Sequence, residues 1–79
     1  MVRTLDSPRH EALRAFLVKR RKIAGLRQVD LAKRLGRSQS YVSHIEIGQK
    51  HVALIELIEW AEAIGFDPEE AITEIAKIK

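Results

Sequence analysis

The chain has 79 residues, no cysteine and a formal net charge of +3. That length suits one small domain with a modest core, and the missing cysteine excludes a disulfide framework and a thiolate metal site. No apolar run approaches the roughly 18 residues that span a bilayer, and MVRTLDSPRH at the N-terminus lacks the apolar centre of a signal peptide, so the expected location is cytoplasmic.

Residues 1–6 read as a flexible N-terminal arm, and residues 7–79 as a single domain. Ser7-Pro8 marks the first helix: Ser7 caps it, and proline fits the first helical position, where no N–H is needed. This helix is expected over about 8–24, with Leu13, Phe16 and Leu17 on one face and Gly25 as the stop. Helix 2 is expected over about 28–35 and helix 3 over about 39–47, closed by Gly48. Helix 4 is expected over about 53–64, burying some of Leu54, Leu57, Ile58, Ala61 and Ile64 before Gly65. Asp67-Pro68-Glu69-Glu70 then restarts the chain as cap, first position and capping-box acid, with helix 5 over about 68–77 and Ile72, Ile75 and Ile78 on one side. No segment alternates like a strand, so the fold class is all-α, a compact five-helix domain.

The stretch QVDLAKRLGRSQSYVSHIEI, residues 28–47, is the most telling. Leu31, Ala32 and Leu35 form one apolar stripe, Val42 and Ile45 a second, and Gly36 lies between them. Glycine takes positive φ at no steric cost, which suits the residue just past a helix end. Ser38 offers a hydroxyl to cap the next helix. Small Ala32 lets the two helices cross closely. This is the layout of a helix-turn-helix, whose second helix can enter a DNA major groove.

Charge supports that reading. Residues 1–50 carry 12 Lys and Arg against 4 Asp and Glu, a balance of +8. Residues 51–79 carry 2 against 7, a balance of −5. The basic half holds the motif, as binding to a polyanion requires. With Val42 and Ile45 inward, Gln39, Ser40, Ser43 and His44 remain on the open side of helix 3. Gln39 is the leading base reader, because its amide donates and accepts at once, matching adenine N6 and N7. The serines suit several base edges, and His44 suits a base or a phosphate. His10, His44 and His51 show no metal-ligand spacing. Arg37, Lys50 and Arg27 flank the same face as phosphate contacts. The Tyr41 hydroxyl suits either a phosphate or an amphipathic surface position.

The sequence resembles the Cro/lambda-repressor-type, or XRE, helix-turn-helix family. The likeness rests on Gly25-Leu26, Gln28, Leu31-Ala32, Leu35-Gly36, Ser38-Gln39-Ser40, Val42-Ser43, Ile45-Glu46, Gly48 and AEAIGFDP at 61–68, and covers about residues 12–72. It implies a lambda-repressor-like five-helix fold, a prokaryotic or phage-type setting and association with the nucleoid when bound. It also implies base reading by Gln39, backbone contact by Gln28, and an ion pair between Arg21 and Glu46 that offers Arg21 to phosphate as well. Three positions depart from it. Arg27 stands where the family has a Ser or Thr cap, Arg37 where it has an apolar turn residue, and Ile47 where it has a polar residue.

The expected function is a sequence-specific transcriptional regulator, a repressor, reading a palindromic operator in double-stranded DNA. Helices 4 and 5 carry more apolar surface than one small core needs, so Trp60, Ile64, Phe66, Ile72 and Ile75 are candidates for a homodimer interface. The alternative is an antitoxin-like or bridging protein-interaction module with a protein partner and secondary DNA binding. No nucleophile arrangement or phosphate-cradling glycine loop points to an enzyme, and neither a cofactor, a metal nor a membrane is called for.

Overall fold

The computed structural model describes residues 7–78. Five helices follow in order: α1 (Pro8–Ile23), α2 (Gln28–Leu35), α3 (Gln39–Glu46), α4 (Leu54–Ile64) and α5 (Pro68–Ala76). Each start has a local cause. The Ser7 hydroxyl accepts from the His10 N–H at 3.1 Å, the Ser38 hydroxyl from Tyr41 N–H at 3.2 Å, and the Asp67 carboxylate from Glu69 N–H at 3.0 Å. Two helices start without a side-chain cap of that kind. At α2 the Asp30 carboxylate reaches back to the Arg27 N–H at 2.9 Å, and at α4 Glu56 does the same for Ala53 at 3.0 Å. That is the acidic half of a capping box, made from the third helical position. Residues 1–6, the expected arm, lie outside the described residues, as does Lys79.

The core is built by all five helices. Leu17 of α1, Leu31 and Ala32 of α2, Val42 and Ile45 of α3, Leu57, Trp60 and Ala61 of α4, and Ala71 of α5 are buried. Each large aliphatic chain taken fully out of water is worth about 1.5–3 kcal/mol. α2 crosses α3 and rests on α4, while α1 bridges α3 and α5. Phe16 meets Phe66 edge to face at 5.2 Å, and the Arg20 guanidinium lies over both rings while pairing with Glu70. That cluster fastens α5 to α1. No helix among the described residues is long and apolar enough to cross a membrane.

Burial divides the five interface candidates. Trp60 is 0 % exposed, and Ile64 and Phe66 are each 9 % exposed, so these three complete the interior of one chain. α4 is apolar nearly all round, so periodicity alone did not settle its inward face. The side left outside carries Leu54, Ile55 and Ile58, all exposed. On α5 the small Ala71 faces the core, Ile75 is half-buried, and Ile72 turns outward.

Candidate nucleic-acid interface

α3 is presented by the turn before it. Gly36 adopts the left-handed conformation, φ 67° and ψ 33°. The Arg37 N–H then bonds to Ala32 O at 2.9 Å and the Gly36 N–H to Lys33 O at 3.2 Å. This pair of bonds is a Schellman closure, and it turns the chain within two residues. Inside, Val42 and Ile45 are fully buried. Outside, Gln39, Ser40 and His44 are exposed and Ser43 is half-buried, so the four expected base readers share the outward face. Ile47, exposed, continues that face past the end of α3. No acidic residue occupies the first turn.

One edge of α3 is fixed by a buried polar chain. Arg21 donates through Nε to Glu46 Oε2 at 2.7 Å and through Nη2 to Oε1 at 3.0 Å. Its Nη1 donates to Leu26 O at 2.7 Å. This is the fork geometry that guanidinium and carboxylate favour. The two side chains are only 10 % and 5 % exposed. Arg21 thus makes the expected ion pair, with three of its five N–H groups engaged by Glu46 and Leu26. Gln28 Nε2 donates to the same Glu46 Oε1 at 2.9 Å, and Gln39 Nε2 approaches Gln28 Oε1 at 3.4 Å. The chain thus runs from the core side of α1 to Gln39, the side chain expected to lead base reading. Gln39 keeps a second amide N–H and its carbonyl oxygen for other partners.

The other edge is aromatic and charged. Tyr41 is half-buried, and its hydroxyl donates to Glu56 Oε2 at 2.6 Å and accepts from Trp60 Nε1 at 3.2 Å. Its one O–H is donated to Glu56 in this structure, so Tyr41 packs as an amphipathic aromatic, one of its two expected roles. Arg37 lies 4.7 Å from the Tyr41 ring centroid and Lys50 5.6 Å, both within cation–π range. Lys50 also pairs with Glu56 at 3.1 Å. Arg27 is largely exposed and pairs with Asp30 at 2.9 Å. The Arg27 hydrogen bond pulls the Asp30 carboxyl down to about 2.

Glu56 was not legible as a site residue. Its one sequence signal is its place three residues after Ala53, the spacing of a capping-box acid. Burial works to raise its carboxyl, but the bonds from Tyr41, the Ala53 N–H and Lys50 outweigh it and hold it below the ordinary value. Tyr41 moves the opposite way, pushed up to about 12 by burial and by the Glu56 bond. Its unfolded value is 10.0, so this contribution to stability is complete below pH 10 and is lost as pH rises toward 12. The chain has one tyrosine. Phenolate absorbance should therefore show a single midpoint near 12 while the fold persists; a midpoint at 10 would contradict the Tyr41–Glu56 bond.

Away from α3, His10 is buried against His51, with ring centroids 5.5 Å apart, and burial, then Arg14 and His51, lower its pKa. Among the described residues no group of three or more His, Cys, Asp or Glu side chains could hold a metal. Gly48, at φ +85°, receives the Arg14 guanidinium so closely that a Cβ there would meet it at 2.8 Å.

The comparisons agree with this geometry. The model of a helix-turn-helix domain family matches residues 12–71. An XRE-family like protein from Pseudomonas syringae pv. tomato is 36% identical, with 87% of this chain and 84% of that one covered and a TM-score of 0.82. The chain belongs to the XRE-type helix-turn-helix family. Two further structures resemble this helix-turn-helix protein. The clp gene regulator ClgR from C. glutamicum is 30% identical, covers 90% of this chain and 92% of its own, and has a TM-score of 0.79. The restriction-modification controller protein C.AhdI from Aeromonas hydrophila is 32% identical, covers 78% and 94%, and has a TM-score of 0.72. No curated protein matches the chain significantly.

Proposed function

We propose that this helix-turn-helix protein is a sequence-specific regulator that binds double-stranded DNA, lays α3 in the major groove and acts as a repressor. The observation that carries the reading is the outward face of α3. Gln39, Ser40, Ser43 and His44 lie together on it, while the buried Arg21–Glu46–Gln28 chain fixes the angle of the helix. Base edges are read by such polar chains, and the surrounding cations position the duplex. Arg37, Lys50 and Arg27 serve as the phosphate contacts, with the Gln28 end of α2 beside them. Repression asks least of a small domain, since occupying a promoter suffices. That two similar structures are a gene regulator and a controller protein supports a regulatory role.

The operator is palindromic and the protein is a homodimer in this reading. The exposed Leu54, Ile55 and Ile58 of α4, with Ile72 of α5, replace the buried Trp60, Ile64 and Phe66 as the self-complementary surface. A two-fold pair would set its recognition helices roughly 34 Å apart. The same apolar stripe favours the second reading, an antitoxin-like or bridging module whose partner is another protein.

Amide chemical shifts followed during titration with a mixed-sequence duplex test the surface. Residues 37–44 and Lys50 should move while α5 stays unchanged. Shifts confined to α4 and α5 would contradict the reading.

A further inference from the structure

Lys50 and Tyr41 flank the outward face of α3, yet both are held by one carboxylate. Glu56 Oε2 accepts from the Tyr41 hydroxyl at 2.6 Å, and both Glu56 oxygens accept from Lys50 Nζ at 3.1 Å. Oε1 also accepts from the Ala53 N–H at 3.0 Å. The Glu56 side chain is 13 % exposed, whereas that of Lys50 is 44 % exposed. The carboxylate is thus anchored by a helix start and a half-buried tyrosine, and only the lysine end of the cluster is free to leave. A phosphate oxygen makes the same kind of bond to an ammonium as this carboxylate does.

We infer that Glu56 is an affinity-limiting residue, an internal competitor that holds Lys50 on the protein and must be displaced before Lys50 can neutralise a DNA phosphate. The inference rests on the DNA-binding reading and deepens it. A lysine that meets phosphate without a competitor contributes its full share to counterion release, close to about 0.9 in the slope of log affinity against log salt. A lysine held by Glu56 brings its partner's negative charge into the same neighbourhood and contributes less. The limit falls on every sequence alike, because phosphate contacts carry no base information. Such a brake lowers affinity for operator and bulk DNA alike, and leaves base reading by α3, and so the ratio between the two, unchanged.

The arrangement differs from the Arg27–Asp30 pair. That pair is exposed and local, three residues apart on one helix start, and a solvated pair of this kind is easily broken. Glu56 is fixed by two partners besides Lys50, the Tyr41 hydroxyl and the Ala53 N–H, so the lysine and not the carboxylate must move.

The test is binding to a mixed-sequence duplex across a salt series, with wild type, Glu56→Gln, Glu56→Asp, Lys50→Ala and the Glu56→Gln/Lys50→Ala double variant. The amide oxygen that Glu56→Gln introduces can still accept from the Tyr41 hydroxyl or the Ala53 N–H, and Trp60 fluorescence reports whether the fold is kept. Glu56→Asp keeps the charge but shortens the arm, so it separates the tether from simple charge removal. Glu56→Gln should bind roughly three- to tenfold tighter with a salt slope steeper by up to about 0.9. Glu56→Asp should shift affinity in the same direction, and the gain from Glu56→Gln should largely vanish without Lys50. Unchanged or weaker binding by Glu56→Gln, or an equal gain with and without Lys50, would overturn the inference while leaving DNA binding intact. Absence of duplex binding by wild type and every variant would remove the DNA-binding reading and the inference with it.

Discussion

Glu46→Ala should lower stability by about 3–5 kcal/mol, the range for removing one partner of a buried ion pair. Domains of this kind have only about 5–15 kcal/mol in total, so the variant should lose a large share of its stability and melt well below wild type. The reason is what remains behind. Arg21 keeps its charge, its side chain is 10 % exposed, and its two bonds to Glu46 disappear. Gln28 loses its acceptor at the same time. Glu46→Gln should do less harm, because an amide oxygen still accepts one bond. Thermal melts followed by Trp60 fluorescence check both. Equal melting temperatures for wild type and the two variants would refute a structural role for the pair.

Gln39→Ala should leave stability within about 0.5 kcal/mol of wild type, as for an exposed surface substitution. Its effect should fall on recognition. A good bidentate contact is worth about 1–3 kcal/mol of discrimination against the wrong base, so one symmetric base pair of the site should become nearly indifferent. The contact from Gln39 to Gln28 is 3.4 Å, at the outer edge of hydrogen-bond distance, and its loss adds little. Competition among duplexes altered at single positions measures this. Uniform weakening at every position would make Gln39 a backbone contact instead.

Much of this was written in local signals. Ser7-Pro8, the Gly36 turn, Ser38 and Asp67-Pro68 place four helix boundaries through chemistry that acts over a few residues, and the helices lie within one residue of the expected ends. The outward face of α3 follows from Val42 and Ile45, since an eight-residue helix with two inward positions leaves little choice. Contacts between distant residues were less accessible. Trp60 and Ile58 are both plausible core residues on a helix that is apolar on most sides, and only packing against the other helices turns Trp60 inward. The Tyr41 hydroxyl could not be assigned because its partners, Glu56 and Trp60, lie 15 and 19 residues away. The Arg21–Glu46 pair, 25 residues apart, was suggested by family resemblance and not by spacing. The weak cap at Arg27 has its answer in Asp30, a residue whose role depends on the same helix start it completes.

Selection of bound sequences from a randomised duplex pool at near-physiological salt tests the central claim most directly, with Gln39→Ala selected in parallel. Enrichment of a palindrome by wild type, relaxed at one symmetric base pair in the variant, is the expected result. No enrichment, with only salt-sensitive general binding, would contradict it and favour the protein-interaction reading.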